Sequence, residues 1–192
     1  MRVFLTGGTG FIGRAVVEAL AARGDHCVVL SRGGESVWPN LAVQMIQGDP
    51  AAGGPWQDEV GTCDAVINLA GERIVDPPKR WTRGRKKLLW ESRVFTTGHV
   101  AAAIRRASKR PRVFLSGSAI GYYGGRGDEV VDESTPAGTD FLAQLGIAWE
   151  AAALTAQDIT RVTLLRTGVV LGPGGGGLEP LLRVFRLGLG GP

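Results

Sequence analysis

The spacing of glycines near the start of the chain predicts a loop that binds phosphate. Residues 6–13 read T-G-G-T-G-F-I-G, so Gly7, Gly10 and Gly13 follow the pattern G-x-x-G-x-x-G. The first glycine would allow a tight turn, the second would let the backbone approach a pyrophosphate, and the third would let a helix pack closely on the preceding strand. Unpaired N–H groups at the start of that helix would hold the phosphate charge. We therefore expect this loop to bind a dinucleotide.

The residues at the end of the second predicted strand indicate which dinucleotide is bound. Domains that bind NAD usually carry Asp or Glu there, which accepts hydrogen bonds from the ribose 2′-hydroxyl. This chain has Ser31 and Arg32 instead, and a hydroxyl beside a guanidinium suits the 2′-phosphate of NADP. The sequence thus favours NADP(H) over NAD(H), and an ordinary exposed arginine at position 32 is the alternative.

These residues must be positioned by alternating strands and helices. Six short apolar runs are typical of buried strands: Arg2–Thr6, His26–Leu30, Val43–Ile46, Ala65–Leu69, Val113–Leu115 and Val162–Leu165. Four segments have helical spacing: Phe11–Arg23, Arg83–Ser108, Phe141–Gln157 and Leu178–Leu187. Residues 50–61 and 119–140 read mostly as loops. We predict one α/β domain over residues 1–192, a Rossmann fold with a doubly wound parallel sheet between helices.

The composition argues against several functional classes. No apolar run approaches the roughly 20 residues that span a bilayer, and the chain starts on a strand without a signal peptide. We therefore expect a cytoplasmic protein, with an organelle matrix as the alternative, and no membrane partner. The two cysteines and two histidines lack ligand spacing, so no metal is expected. Basic stretches occur without a nucleic-acid motif, so we expect no nucleic-acid partner.

The chain resembles the extended short-chain dehydrogenase/reductase superfamily. The glycine loop matches its cofactor signature, Asn68–Gly71 matches its motif after the fourth strand, and Gly48-Asp49 resembles the element that meets the adenine. More specifically, the chain resembles an atypical epimerase subgroup, with bacterial members described as nucleoside-diphosphate-sugar epimerases. That resemblance rests on N-L-A-G-E at 68–72, R-W-T at 80–82, S-R at 92–93, S-A-I-G-Y-Y-G at 118–124, W-E-A-A-A at 149–153, L-R-T-G-V-V-L-G at 165–172 and F-R-L-G-L-G-G-P at 185–192.

The resemblance implies a set of cofactor contacts. They are Gly7, Thr9, Gly10, Phe11 and Ile12 at the pyrophosphate, Ser31 and Arg32 at the 2′-phosphate, Leu69, Ala70 and Gly71 beside the ribose, and the Val170 backbone at the nicotinamide carboxamide. Arg93 matches a polar position that faces the cofactor, and a surface salt bridge is the open alternative. The resemblance also implies a homodimer through the helices at 83–108 and 141–157, and a C-terminal substrate-binding part that is absent here.

The usual catalytic pair of the superfamily is missing. Related enzymes transfer a proton through a Tyr-x-x-x-Lys pair on one helix face, with a serine that orients the substrate hydroxyl. Aligned on Glu150, the tyrosine position falls at Leu142 and the lysine position at Gly146. Neither residue can transfer a proton.

Three other residues remain as catalytic candidates. Ser118 is the candidate serine, with Ser116 nearby and predicted to lie by the cofactor. Tyr122 and Tyr123 are the only tyrosines, and either could replace the missing acid/base from its loop. The alternative that we favour is that both rings line the pocket or pack the loop.

Two functions therefore stay open from the sequence. The first is an NADP-dependent oxidoreductase or epimerase that acts on a small molecule with a hydroxyl or carbonyl group, such as a nucleotide sugar. The second is a non-catalytic NADP(H)-binding sensor or scaffold. The intact glycine loop fits both functions, and the missing Tyr and Lys favour the second.

The cofactor preference can be tested by titrating NADPH and NADH against the wild type and an Arg32→Ala variant. We expect NADPH to bind more tightly than NADH, because only NADPH carries the 2′-phosphate that a guanidinium recognises. The substitution should remove most of that difference. Equal affinities for the two dinucleotides in the wild type would contradict the assignment.

Overall fold

A six-stranded parallel sheet forms the centre of the protein in the computed structural model, which describes residues 1–34, 37–74, 80–173 and 175–189. The strands are β1 (Arg2–Thr6), β2 (His26–Ser31), β3 (Val43–Gln47), β4 (Ala65–Asn68), β5 (Val113–Ala119) and β6 (Arg161–Thr167). Their order is β3-β2-β1-β4-β5-β6, and all the pairings are parallel. This is the Rossmann order, so the predicted fold is confirmed. The chain adds β2 and β3 on one side of β1 and then β4, β5 and β6 on the other side. In sheets of this kind, ligands bind in the crevice at the carboxyl ends of the strands where the order changes side, here between β1 and β4.

Helices cover both faces of the sheet. The helices of the described chain are α1 (Phe11–Ala22), α2 (Arg83–Trp90), α3 (Thr96–Arg106), α4 (Phe141–Leu154) and α5 (Leu178–Arg186). The long helix predicted over 83–108 is interrupted, because the segment Glu91–Phe95 between α2 and α3 is a π-helix. Such π turns occur frequently at functional sites, and Arg93 lies in this one.

Two segments predicted as loop contain short 3₁₀ helices, Pro55–Thr62 and Ile120–Tyr123. Pro55 suits the first position of the first one, where a helix needs no N–H donor. Trp56 and Val60 on this turn are buried in the core. The loop prediction for residues 50–61 was therefore wrong for its second half, because burial of two apolar side chains outweighs the neighbouring Gly and Pro residues.

The core lies in two layers, one on each face of the sheet. Phe4 and Phe114 face α3 and the 3₁₀ turn, and Phe4 stacks on Trp56 with ring centroids 5.9 Å apart. Val3 and Leu5 face the opposite layer with Val17 of α1. Neighbouring strand residues thus point to opposite apolar layers, which explains the continuously apolar sequence of the strands.

Both cysteines belong to these layers. Cys27 and Cys63 are free and fully buried, and burial raises the pKa of both thiols. In the described part of the chain, no group of three or more His, Cys, Asp or Glu side chains could hold a metal ion. Among the same residues, no helix combines the length and the apolar character that crossing a membrane requires.

The carboxyl edge of the sheet extends further than the apolar runs indicate. Strand β5 continues through the polar stretch Ser116–Ala119, and pairing with β6 places Ser118 opposite Arg166. Serine and glycine have low strand propensity, so the sequence pattern ends the strand at Leu115. After β6, Leu171–Gly172 (β7) pairs antiparallel with Gly175–Gly176 (β8). Glycines carry no side-chain alternation, so this hairpin was not predicted.

Candidate cofactor site

Backbone conformation and close packing both require Gly7 at the first position of the glycine loop. Its φ angle is +69°, in the left-handed region. A Cβ atom at Gly7 would lie 2.6 Å from the carbonyl carbon of Leu69 and 2.7 Å from the amide nitrogen of Ala70. The loop after β1 therefore touches the segment after β4 backbone to backbone. The Gly10 N–H donates to the Gly7 carbonyl at 3.0 Å and closes the turn.

Gly13 is required by packing alone. A Cβ atom there would lie 2.1 Å from the Gly7 carbonyl oxygen and 2.7 Å from the Gly8 Cα. The third glycine of the motif thus lets α1 pack on the loop itself, whereas the sequence interpretation assigned this contact to the strand. The loop is a cradle whose shape excludes side chains at its two ends.

The start of α1 suits an anion. Its N-cap residue is Gly10, which supplies no side-chain hydrogen bond, and its first turn contains no acidic residue. The side chain of Arg14 turns back and donates from Nε to the Thr9 carbonyl at 3.0 Å. N–H groups without capping side chains, at the positive end of a helix dipole, favour phosphate. Phe11 and Ile12 lie in this first turn.

Ser31 and Arg32 lie at the same edge of the sheet as the glycine loop. Thr6 of β1 pairs with Leu30 of β2, so Ser31 lies one residue further along, at the edge from which the glycine loop starts. The Ser31 hydroxyl accepts from the Gly33 N–H at 3.3 Å, and the Arg32 side chain is exposed. The fold therefore brings together the two parts of the predicted dinucleotide site.

A buried chain of hydrogen bonds fixes the carboxyl ends of β1 and β4. Thr6 Oγ1 donates to Asn68 Oδ1 at 2.5 Å, and Asn68 Nδ2 donates to Thr97 Oγ1 at 2.7 Å. All three residues are fully buried. The Ala70 N–H also points to Thr6 Oγ1, at 3.4 Å. The segment Leu69–Gly71, predicted to pass the ribose, is thereby tied to β1 and to α3.

Sequence reasoning missed the roles of Thr6 and Thr97. The only available signal was a polar residue at the end of each of two apolar runs, Thr6 after Leu5 and Asn68 after Ile67. Polar side chains at those positions of parallel neighbouring strands meet at one edge. Thr97 carried no such signal, because its position in the sequence does not indicate which helix face is buried.

Side chains of the α2 and π segments clamp the backbone at Glu72. The Glu72 N–H donates to Ser92 Oγ at 3.1 Å, and its carbonyl accepts from Arg93 Nη2 at 2.8 Å. Arg85 Nη1 donates to the Glu72 carboxylate at 2.9 Å, and Arg85 also bonds the Arg73 carbonyl. This clamp, formed by Arg85, Ser92 and Arg93, orients the chain directly after the predicted ribose contacts.

Arg93 is buried, which excludes the surface salt bridge considered from the sequence. Only 7% of the residue is exposed, and its guanidinium carbon lies 5.2 Å from the centroid of the Trp149 ring. Burial lowers the pKa of the guanidinium to about 10, so it remains charged at neutral pH. A Cβ atom at Gly71 would lie 3.2 Å from the Arg93 Cζ. Direct contact with a cofactor stays a prediction.

The candidate serines are both engaged within the protein. Ser118 is 3% exposed and donates its hydroxyl proton to Glu150 Oε1 at 2.6 Å. Ser116 is fully buried on β5, and its hydroxyl bonds the Gly117 carbonyl at 3.2 Å. Glu150 is 5% exposed and accepts a bidentate pair of bonds from Arg166 Nε and Nη2, each at 2.8 Å. The sequence interpretation used Glu150 only for alignment and missed Arg166.

Arg166 also holds both candidate tyrosines. Its Nη1 donates to the Tyr123 hydroxyl at 2.9 Å, and its Cζ lies 3.7 Å from the centroid of the Tyr122 ring. The bonds to Glu150 raise the pKa of Arg166, so it is permanently charged. We call Ser118, Tyr123, Glu150 and Arg166 the ion-pair network. It joins β5, the 3₁₀ turn, α4 and β6.

The 3₁₀ turn that carries both tyrosines packs against α4 beside Leu142 and Gly146, the positions that align with the missing Tyr-x-x-x-Lys pair. A Cβ atom at Gly146 would lie 3.3 Å from both the Cα and the Cβ of Tyr122, and a Cβ atom at Gly121 would lie 3.3 Å from the Leu142 Cβ. A lysine at position 146 would therefore need the turn to move away from α4. This close packing is a physical reason for the glycine found there.

Val170 follows β6, at the same edge. The residue is partly buried, and its carbonyl accepts from the Gly177 N–H at 2.9 Å. The β7–β8 hairpin between these two residues lies against the ring of Phe11. The fold thus brings the last predicted cofactor residue close to the glycine loop.

Comparisons with known proteins agree with this architecture. The NAD dependent epimerase/dehydratase family matches residues 3–185. The human Epimerase family protein SDR39U1 is 41% identical over the whole chain, and a Mycobacterium tuberculosis epimerase family protein is 38% identical over 98% of it. The chain spans 62% and 60% of the lengths of these two relatives.

Solved structures are similar over nearly the whole chain. Human SDR39U1 (isoform 2) with NADPH has a TM-score of 0.83 at 38% identity, covering 100% of this chain and 62% of that one. A Corynebacterium glutamicum nucleoside-diphosphate sugar epimerase has a TM-score of 0.80 at 32% identity, covering 96% and 37%. MoeE5 in complex with UDP-glucose and NAD has a TM-score of 0.79 at 25% identity, covering 97% and 60%.

The ion-pair network should contribute strongly to stability. We expect Glu150→Gln to lower the free energy of unfolding by about 3 kcal/mol, because the Arg166 charge would lose its buried partner. Urea denaturation measures this loss. The control is Glu129→Gln, since Glu129 is 54% exposed and pairs with Arg126 at 3.4 Å. That change should cost less than about 1 kcal/mol. Similar losses in the two variants would contradict the assigned role.

Proposed function

The chain belongs to the NAD dependent epimerase/dehydratase family, and on that premise we propose that it binds NADP(H) as an atypical short-chain dehydrogenase/reductase. One observation carries the proposal: Gly7 and Gly13 form a cradle in which Cβ atoms would lie 2.6 and 2.1 Å from backbone atoms. The cradle leads into an uncapped helix start. The NADPH in the structure of the human relative supports the same cofactor.

The described residues fit the parts of such a cofactor. The glycine loop and the first turn of α1 would hold the pyrophosphate, and Ser31 with Arg32 would hold the 2′-phosphate. Leu69–Gly71 would lie beside the ribose. When bound, the nicotinamide supplies hydride exchange at its C4 carbon. The protein contributes orientation, through the Thr6–Asn68–Thr97 bonds and the clamp on Glu72.

A substrate of the nucleotide-sugar class is the first candidate. The names of the Corynebacterium relative and of the MoeE5 complex support this class for those proteins. In this chain, a cavity of about 380 Å³ lies at the start of α2, lined by Arg80, Thr82, Gly84, Arg85 and Leu88. Trp81 beside it is 47% exposed. The exposed guanidinium of Arg80 beside an exposed aromatic ring suits a diphosphate attached to a base or a sugar, whereas Arg85 is already bonded to Glu72 and Arg73.

A non-catalytic NADP(H)-binding sensor or scaffold is the second candidate function. The observation that favours it is the engagement of Ser118, whose proton is donated to Glu150 at 2.6 Å. To bind a substrate oxygen, Ser118 would have to give up a buried, charge-assisted hydrogen bond. The packing of Tyr122 against Gly146 points the same way, since a side chain at position 146 would require the tyrosine turn to shift.

We also propose that two copies associate through the outer face of the helices. Phe95 on the π segment and Ile147 on α4 are 49% and 37% exposed. A dimer would cover these apolar side chains. Sedimentation of the full-length protein tests this proposal, and a monomer at high concentration would count against it.

Turnover of the full-length protein separates the two functions. With a nucleotide-sugar panel we expect one of two forms of turnover: net NADPH oxidation or NADP⁺ reduction, as for an oxidoreductase, or conversion of the sugar without net change in the cofactor, as for an epimerase. If either tyrosine is the acid/base, Tyr122→Phe together with Tyr123→Phe should lower kcat by about 100-fold or more, since a positioned acid/base contributes that much. If both rings only pack, as we favour, kcat should change little. NADPH affinity, measured by fluorescence titration, should stay unchanged. Unchanged turnover would exclude the tyrosines, whereas tight NADPH binding without turnover in the wild type would support the sensor or scaffold.

A further inference from the structure

We propose that Phe11 is a positioning residue that couples the two halves of the dinucleotide site. This inference rests on the proposed NADP(H) binding. The backbone of Phe11 begins α1, where the pyrophosphate would bind, and its ring supports the β7–β8 hairpin that follows Val170. One residue would thus hold the loop for the pyrophosphate and the segment for the nicotinamide in fixed relation.

The glycines of the hairpin are fitted to this ring. A Cβ atom at Gly172 would lie 2.9 Å from Phe11 Cζ, one at Gly175 would lie 2.6 Å from Cδ2, and one at Gly176 would lie 2.6 Å from Cε1. Different atoms around the ring are involved, so the hairpin backbone lies across the ring. A methyl group at any of these positions would push the hairpin away from α1.

The same hairpin determines the orientation of Val170. The Gly177 N–H donates to the Val170 carbonyl at 2.9 Å, and a Cβ atom at Gly176 would lie 2.3 Å from that oxygen. Leu171 of β7 pairs with Gly176 of β8. The orientation of the peptide group after Val170 is therefore fixed by the position of the hairpin.

Among the described residues, the apolar side chains that adjoin the glycines of the hairpin are largely exposed. Val169 and Leu171 are 73% and 60% exposed, whereas the ring of Phe11 is partly buried. Phe11 itself is anchored, because α1 packs on the glycine loop through Gly13 and on the core through the fully buried Val17. The rigid element therefore carries the ring, and the exposed segment adapts to it.

The test compares NADPH with 2′-phospho-ADP-ribose, which keeps the pyrophosphate and lacks the nicotinamide. In Phe11→Ala we expect NADPH to bind about tenfold more weakly and to dissociate faster, because the nicotinamide segment loses its support. The affinity for 2′-phospho-ADP-ribose should change less than about twofold, because the main-chain contacts to the pyrophosphate remain. A merely structural defect in the loop would lower the affinity for both ligands equally.

Gly175→Ala disturbs the same contact from the other side and should reproduce the selective loss. Gly125→Ala is the matched control, because a Cβ atom there would meet no atom within 4 Å. Thermal denaturation of each variant monitors folding. Equal weakening of the two ligands, or no weakening of either, would overturn the role of Phe11. Failure of the wild type to bind NADPH would instead overturn the proposed function.

Discussion

The edge of the sheet where the cofactor would bind depends on peptide backbones that are in direct contact, with no side chains between them. A methyl group at Gly13 would lie 2.1 Å from the Gly7 carbonyl oxygen, and one at Gly7 would lie 2.6 Å from the Leu69 carbonyl carbon. These contacts bring the start of α1, the loop after β1 and the segment after β4 within reach of a single ligand. Main-chain N–H groups at a helix start can then hold an anion without a cationic side chain.

Polar groups beneath this edge keep it rigid because they bond to one another. Thr6, Asn68 and Thr97 form a fully buried chain of hydrogen bonds, and Arg93 bonds the Glu72 carbonyl from a site that is 7% exposed. An unpaired buried group costs about 1–3 kcal/mol, so any movement that separates these partners is unfavourable. A site held in this way loses little conformational entropy when a ligand binds.

The same arrangement constrains catalysis. Ser118 and Tyr123 are bonded to the buried Glu150 carboxylate and its partly buried Arg166 partner, so groups with the right chemistry for proton transfer also hold β5, α4 and β6 together. Strong bonds at a site position groups accurately, yet they oppose the exchange of partners that a reaction needs. This conflict is the physical argument for the proposed non-catalytic binding role.

The amino-acid order alone was enough to predict the six strands, the parallel fold and the glycine loop, because these follow from apolar periodicity and from local turn geometry. It was not enough for the hydrogen bonds between Thr6 and Asn68, which are 62 positions apart, or for the Glu150–Arg166 pair. Nor did it predict that a glycine hairpin would rest on Phe11. Such contacts form only when the sheet brings its carboxyl ends together, and the partner of a polar residue depends on which faces the folded chain buries.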